Sequence, residues 1–304
     1  MQELSQITVT EFILLGFTPD PRTNPLLFPF FLVFYLLILL SNSHLLAIIH
    51  QDSDLHTPPT YFFIGVLSMV GVCYATTTVS QTLAHILSRK RAISFTRCVA
   101  HIYIFLLFGV TESWLLSIMS VDRYIAICHP LRYKVIVSQG MCLLMVGICA
   151  TYGVVGGLCC TFFAMRLPYC GPSEIDHYFC EVPAVLKLAC ADTSLSDFVD
   201  FIIGFNVIVV PLSLIAIVYA NIFTVIMKIR STQRRTKDQG EDLRLPHHCG
   251  HHVCHLMQHH AHESCLWLLI KQRQENGLFY NIATAFLNPV IYSLRNKDVK
   301  KRFL

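Results

Sequence analysis

Residues 119–131 read Met-Ser-Val-Asp-Arg-Tyr-Ile-Ala-Ile-Cys-His-Pro-Leu, which puts an acidic and a basic side chain at the end of a long apolar run. An ionised pair such as Asp122 and Arg123 is costly inside hydrocarbon. We therefore expect it at the cytosolic end of a membrane-spanning helix, where Arg123 can reach the polar interface or pair with Asp122. The pattern predicts a membrane protein with a switchable ion pair at its inner face.

Apolar runs of membrane-spanning length recur along the chain. The 304 residues are 54% hydrophobic and 14% charged, and a helix needs about 20 apolar residues to cross a bilayer. The runs predict an all-α membrane protein with five clear spans and one shorter apolar run. The predicted spans are residues 26–49, 61–87, 98–127, 141–163 and 201–227, and the shorter run is 278–292.

The distribution of charge orients these spans. Basic residues cluster at 132–134, 228–237 and 295–302, whereas the loop 164–200 is acidic. Basic clusters mark cytosolic segments, so residues 1–25 and the acidic loop are expected outside, although the basic residues at 89–97 run against this orientation. The first 25 residues lack the features of a cleaved signal peptide, so the first span is expected to act as a signal anchor. The basic clusters favour membrane lipid over nucleic acid as a partner.

Four cysteines fall at the expected outer face, namely Cys98, Cys170, Cys180 and Cys190. The outer side of the membrane is oxidising, so two disulfides are predicted among them. Spacing alone leaves all three connectivities open.

Four motifs stand in order along the chain. Besides Asp122-Arg123-Tyr124, they are Leu-His-Thr-Pro at 55–58 with Tyr-Phe-Phe at 61–63, Leu-Pro-Tyr-Cys-Gly-Pro at 167–172, and Leu-Asn-Pro-Val-Ile-Tyr-Ser-Leu-Arg-Asn at 287–296. Together they resemble the olfactory receptor family of rhodopsin-like G-protein-coupled receptors. The resemblance covers residues 8–230 and 278–304.

The resemblance implies a seven-helix bundle in the plasma membrane that binds a small volatile odorant and activates a heterotrimeric G protein. No enzymatic activity, cofactor or metal is expected. It also implies disulfides from Cys98 to Cys180 and from Cys170 to Cys190. The implied G-protein switch residues are Asp122, Arg123, Tyr124, Tyr219, Asn288, Pro289 and Tyr292.

The family binds odorants among the outer halves of its helices, and helical spacing gives candidates at that depth. The alternative is that these are ordinary helix-packing residues. The candidates are Phe105, Leu106, Gly109, Ile203, Asn206 and Val207.

The sequence departs from the family where the sixth helix is expected. Eight of the fifteen histidines lie at 247–262, and residues 234–271 contain no run that could span a bilayer. The predicted division is an extracellular N-terminus at 1–25, five helices with loops at 26–233, an aberrant His/Cys-rich segment at 234–277, and the seventh helix with a cytoplasmic tail at 278–304. A zinc site formed by Cys249, Cys254, Cys265 and the histidines is the weaker reading, because the donors recur irregularly.

A change of reading frame explains the histidines better. His-His-Cys-Gly-His-His at 247–252 can be encoded by CAT CAC TGT GGT CAC CAT. Read one base later, the same letters encode Ile-Thr-Val-Val-Thr, which resembles the sixth helix of the family. Since the segment also keeps the length that the family needs, we infer two compensating frame changes, near residues 234 and 276.

The altered segment should not enter the membrane, since a charged residue at a span centre costs about 2.5–3.5 kcal/mol. Five spans then deliver the chain to the cytosol, so either residues 278–292 do not insert or the basic tail lies on the wrong side. The favoured prediction is a receptor-derived, pseudogene-type product that is retained in the endoplasmic reticulum, and the alternative is an odorant receptor that signals. Neither a transporter nor a channel is indicated, since no internal repeat or line of intramembrane charges is present, and no enzyme motif occurs.

Overall fold

The structure is a computed structural model that describes residues 9–16, 24–52, 58–87, 92–170, 173–175, 177–238, 285–287 and 289. For residues 24–26 and 229–238 it describes the backbone only. The segment predicted to be aberrant, 234–277, lies outside the described residues apart from its first five positions.

Within the described residues, five helices are long and apolar enough to cross a membrane. The prediction of an all-α membrane bundle is therefore confirmed. These helices are α1 (Asn24–Gln51), α2 (Pro59–Leu87), α3 (Phe95–Cys128), α5 (Gln139–Met165) and α7 (Ser194–Asp238), and two short helices, α4 (Tyr133–Ile136) and α6 (Val182–Leu186), lie between them. We call the end of the bundle near Cys98 the outer end and the end near Asp122 the inner end.

Local sequence signals set where the long helices begin. Ser94 caps α3, because its hydroxyl accepts from the N–H of Arg97 at 3.4 Å. Ser138 caps α5 in the same way, accepting from the N–H of Met141 at 3.4 Å. Serine favours this position because its side chain satisfies an N–H that has no partner inside the helix. The α3 helix ends at Cys128, just before His129 and Pro130.

The fifth span is longer than its apolar run predicts. The prediction covered residues 201–227, whereas α7 begins at Ser194 and its backbone stays helical to Asp238. The apolar part that can lie in the membrane is Ser194–Lys228. The remaining turns carry polar and basic residues, which hydropathy alone does not assign to a helix.

A small β-sheet at the outer end was not predicted. Its three strands are β1 (Glu11–Leu14), β2 (Ala92–Ser94) and β3 (Glu174–Ile175), and β1 is the middle strand. It pairs antiparallel with β2 and parallel with β3. The sheet therefore joins the N-terminal segment to the loops before α3 and after α5.

The first helix also contacts residues near the other end of the chain. Asn42 is 1% exposed, and its amide donates to the carbonyl oxygens of Ile38 at 2.9 Å and Ala285 at 3.1 Å. The ring of Phe286 meets that of Phe34 edge-on, with centroids 6.3 Å apart. Residues 285–287 thus pack against α1, as part of the helix bundle.

Candidate functional site

An aromatic cluster joins α2, α3 and the outer loop that follows β3. The ring of Phe105 on α3 lies 5.2 Å from that of Tyr74 on α2 and 5.2 Å from that of Phe179 in the loop. The ring of His101, one helical turn closer to the outer end, lies 5.6 Å from Phe179 and stacks on Phe105 at 6.2 Å. These four side chains form a mainly apolar surface with two polar groups.

The polar group at the centre of this cluster is the imidazole of His101, which is 6% exposed. Its Nδ1 lies 3.2 Å from the carbonyl oxygen of Cys180. Because a carbonyl oxygen can only accept, Nδ1 must carry the proton in this contact. The other ring nitrogen, Nε2, is buried, and the backbone of Thr77 on α2 also interacts with this imidazole.

The candidate residues of α3 fall on two sides of that helix. Gly109 lies beside Tyr74, since a Cβ built at Gly109 would lie 3.4 Å from the phenol oxygen. Phe105 shares this side. Leu106 packs instead against the outer core, as does Ile203 of α7. The structure therefore brings Phe105 and Gly109 together with Tyr74, and Leu106 and Ile203 to one apolar cluster.

The other two candidates on α7 make different contacts. Asn206 is exposed, and its amide donates to the carbonyl oxygen of Ile202 at 2.9 Å, within the same helix. The carbonyl oxygen of Val207 accepts from the hydroxyl of Ser113 at 2.6 Å, which ties α7 to α3. Neither contact is with the aromatic cluster.

Two disulfides hold the outer end. Cys98 pairs with Cys180 with a Cα–Cα distance of 5.6 Å, and Cys170 pairs with Cys190 at 5.8 Å. Of the three connectivities that spacing left open, the structure has the one that the resemblance implies. Cys98 and Cys180 are both completely buried.

At the inner end, the Asp122 carboxylate is 4% exposed and has two hydroxyl partners. Tyr133 of α4 donates to Oδ1 at 2.7 Å, and Thr60 of α2 donates to Oδ2 at 2.8 Å. The hydroxyl oxygens of Thr60 and Tyr133 lie 3.1 Å apart. Each hydroxyl has one proton, and both protons are used by the carboxylate.

This arrangement differs from the pairing expected between Asp122 and Arg123. Among the described residues these two side chains are not within ion-pair distance. Consecutive residues of a helix point about 100° apart, and only residues three or four apart face each other. Asp122 therefore faces α2 and α4, while Arg123 is half-buried beside it.

Burial raises the pKa of the Tyr133 phenol well above its usual range. The phenol therefore keeps its proton at physiological pH and remains a hydrogen-bond donor to the carboxylate.

Two of the predicted switch residues meet at the inner end of α3 and α7. Tyr219 is 6% exposed and belongs to an apolar cluster with Ile215, Ile222 and Ile226, against which Tyr124 packs. Pro289 is buried. Asn288 and Tyr292 lie outside the described residues.

Comparison with known proteins covers almost the whole chain. The family model described as "Olfactory receptor" matches residues 31–304. The chain is 40% identical to human "Olfactory receptor 2D2" over 304 residues, which is 99% of this chain and 96% of that protein. It is 37% identical to mouse "Olfactory receptor 5M5", covering 97% of this chain and 92% of that protein.

The chain belongs to the olfactory receptor family. The family assignment that the four motifs indicated is thus confirmed, and with it an architecture that crosses the membrane several times. Each of the five long helices of this olfactory receptor is long and apolar enough to be a membrane span.

Sequence reasoning missed three residues that line the same region of this olfactory receptor, namely Tyr74, His101 and Phe179. His101 could have been found, because it lies one helical turn from Cys98 and so faces the same side of α3. Tyr74 and Phe179 come from other elements. Their approach to Phe105 depends on how α2 and the loop pack, which spacing along one helix does not reveal.

Proposed function

We propose that this chain is an odorant receptor scaffold that no longer signals in its present form. The observation that carries the proposal is the sequence of residues 234–277, where eight histidines and several charges replace a membrane span. The first five spans and the outer disulfides are present. What is lost is the helix whose movement would transmit the signal.

The ligand would be a small, mostly apolar, volatile molecule. Two groups of residues offer apolar contacts. Phe105 and Gly109 lie beside Tyr74, and Leu106 and Ile203 pack against the neighbouring cluster. Small-molecule sites are mainly hydrophobic with a few placed polar groups, and the imidazole of His101 is such a group. Asn206 and Val207 would contribute through the position of α7 rather than by direct contact.

The partner at the inner end would be a heterotrimeric G protein. Leu131 is 99% exposed between α3 and α4, two residues before Tyr133. Val135 and Ile136 of α4 are also exposed, at 81% and 40%, and exposed apolar side chains that lie together mark protein interfaces. The switch that exposes this surface would consist of Asp122, Arg123, Tyr124, Tyr219, Asn288, Pro289 and Tyr292.

A conformational switch of this kind shifts an equilibrium between two states. In the structure the Thr60 and Tyr133 hydroxyls hold Asp122, so the carboxylate does not depend on Arg123 for a partner. The ligand would favour the state in which the inner ends of the helices separate, and the sixth helix is the element that must move. Without that helix, ligand binding at the outer end cannot open the inner end to the G protein.

The comparisons support two frame changes rather than a deletion. The alignment with human "Olfactory receptor 2D2" spans 99% of this chain and 96% of the relative, so the two chains have nearly the same length, as compensating frame changes would leave it. A segment that cannot insert leaves the bundle-facing side chains of its neighbours without a packing partner. Such a chain is expected to be retained in the endoplasmic reticulum instead of reaching the plasma membrane.

The first test is a chimera in which residues 234–277 are replaced by the corresponding segment of human "Olfactory receptor 2D2". We expect the chimera to reach the cell surface and to raise basal nucleotide exchange on a heterotrimeric G protein, and the unaltered chain to do neither. The matched control exchanges residues 139–165, a helix that is already intact, and should restore nothing. The same chimera with Arg123→Ala should reach the surface without activating the G protein.

If the unaltered chain reached the surface and activated the G protein as well as the chimera does, loss of activity would be refuted. Sequencing the genomic DNA and transcript across codons 228–282 in several individuals tests the frame changes independently. An intact frame would make the chain a variant of a working receptor, whereas the same histidine-rich frame in every individual would mark a pseudogene product.

A further inference from the structure

The N-terminal strand β1 fills the space between two outer loops. The N–H groups of Ile13 and Leu15 donate to the carbonyl oxygens of Ser173 at 2.7 Å and Ile175 at 3.0 Å. On its other side, the carbonyl oxygen of Thr10 accepts from the N–H of Phe95 at 2.9 Å. The strand therefore bridges the loop before α3 and the loop after α5.

Alternate side chains of β1 point into the bundle. Phe12 is 0% and Leu14 1% exposed, whereas Ile13 is 41% exposed. The ring of Phe12 lies 6.0 Å from that of Phe95 and meets that of Tyr169 edge-on at 5.7 Å. This period of two is the signature of a strand with one buried face.

The apolar cluster under the strand reaches the candidate ligand pocket. Phe12 and Leu14 belong to the same buried cluster as Cys98, and Leu106 and Ile203 pack against that cluster. The strand is thus the outermost layer of the core that continues down to two of the pocket candidates.

The strand is held only by non-covalent contacts, while the loops on either side are tied covalently. The disulfide between Cys98 and Cys180 joins α3 to the outer loop without involving β1. Just after the strand, Gly16 has a φ of 84° and its N–H donates to the carbonyl oxygen of His177 at 3.3 Å. A φ in this region is natural for glycine, so the chain can turn away from the sheet here. The strand could leave while the loops stay in place.

We propose that residues 11–14 act as a gate over the ligand pocket, and that small molecules from the outer aqueous side enter when this strand releases. The proposal rests on the ligand-binding role proposed above for Leu106 and Ile203. Its test uses thiol chemistry rather than an odorant or a G protein, so its failure is distinguishable from failure of the proposed function.

A cross-strand disulfide can lock the gate. Because Thr10 and Phe95 are hydrogen-bonded across the strands, their neighbours Glu11 and Ser94, which are register partners, form the non-hydrogen-bonded pair. The Cα atoms of such a pair lie about 4.5 Å apart, within the range that a disulfide spans. Glu11→Cys with Ser94→Cys is the locked variant. Its control is Glu11→Ser with Ser94→Cys, which loses the Ser94 cap of α3 to the same extent but cannot form the cross-link.

The reporter of access is Leu106→Cys in the full chain, reconstituted in lipid nanodiscs. A charged methanethiosulfonate reagent labels the thiol, and mass spectrometry of the peptide that contains position 106 gives the rate at that site alone. Phe12→Ser with Leu14→Ser releases the strand. The matched control is Glu11→Ser with Ile13→Ser, which makes the same number of changes on the exposed face.

We expect labelling at position 106 to be about tenfold faster in the release variant and about tenfold slower in the locked variant than with the unaltered strand, as for opening by local unfolding. Both controls, Glu11→Ser with Ile13→Ser and Glu11→Ser with Ser94→Cys, should keep the unaltered rate. Equal labelling of the locked and unaltered proteins would show that reagents bypass the strand and would overturn the proposal. The locked variant retains Phe12 and Leu14, so this comparison holds even if the release variant misfolds.

Discussion

Tyr133 donates a 2.7 Å hydrogen bond to Oδ1 of Asp122 and thereby fixes α4 to the inner end of α3. Because the carboxylate is buried, bulk water cannot replace a hydrogen-bond donor that it loses. The position of α4, and of the exposed Leu131 just before it, depends on this contact.

Tyr133→Phe should lower the free energy of unfolding by about 1–3 kcal/mol, because it removes a hydrogen-bond donor from a buried charged group. Thermal unfolding in detergent measures the change, and hydrogen exchange over residues 129–137 should rise. Tyr35→Phe is the matched control, since the Tyr35 hydroxyl donates to Thr76 at 3.2 Å at an exposed site. Equal losses in the two variants would contradict the role assigned to Tyr133.

The hydroxyls of Thr60 and Tyr133 should act as a unit on Asp122. Both donate to the same carboxylate and their oxygens are 3.1 Å apart. A double-mutant cycle of Thr60→Val and Tyr133→Phe should therefore show a coupling energy of about 0.5–3 kcal/mol. Strictly additive losses would mean that each hydroxyl acts independently.

Gly153 is required for the close approach of α5 to α3. A Cβ at this position would lie 2.5 Å from the carbonyl oxygen of Leu107 and would also overlap the Thr111 hydroxyl. Gly153→Ala should destabilise the bundle by about 1–3 kcal/mol, as overpacking does. Gly147→Ala in the same helix meets nothing within 4 Å and should be tolerated. Thermal unfolding of both variants makes the comparison, and a stable Gly153→Ala protein would contradict the close packing.

Loss of the Cys98–Cys180 disulfide should cost more than loss of Cys170–Cys190. The two bonds close loops with sequence separations of 82 and 20. The chain-entropy model gives a difference of about 1 kcal/mol in favour of the longer loop. Cys98→Ser and Cys170→Ser variants, compared by thermal unfolding under oxidising conditions, test the order, and the reverse order would count against the entropic account.

Tyr169 should make stability depend on pH in the alkaline range. Burial raises the pKa of Tyr169 to about 12, against about 10 for an unperturbed phenol. Between these two values the folded protein keeps a proton that the unfolded chain has lost. The folded state then binds more protons, so the free energy of unfolding falls as pH rises through this window.

The Tyr169→Phe variant should show a shallower loss of stability over the same pH range, measured by thermal unfolding at each pH. Identical slopes for the variant and the unaltered protein would mean that the phenol does not titrate late in the folded state.

The spans and family could be predicted because each rests on a local signal. A run of apolar residues such as 141–163 fixes a helix whatever lies next to it, and α5 covers that run. The sheet was not predicted because its strands are short: β1 has four residues and β3 has two. Strands this short carry no readable period, and they form only because two distant loops meet.

The partners of a polar side chain were also beyond sequence reasoning. Arg123 is adjacent to Asp122 in the chain, yet Thr60 and Tyr133 reach the carboxylate from other elements. Likewise, spacing along α3 placed Phe105 and Gly109 at a useful depth, but only the packing of α2 reveals that both lie against Tyr74. Contacts within one helix follow from its period, whereas contacts between helices follow from the fold.

The bond from the Asn42 amide to the carbonyl oxygen of Ala285 has a further consequence, for biosynthesis. Its two residues are 243 positions apart, so the ribosome must add the whole intervening chain before the bond can form. At about 5–20 residues per second this delay is roughly 10–50 seconds. During that time the first helix lies in the membrane, and the Asn42 N–H that will bond to Ala285 has not yet met its partner. A chaperone that binds polar groups within the bilayer can bind Asn42 during this interval.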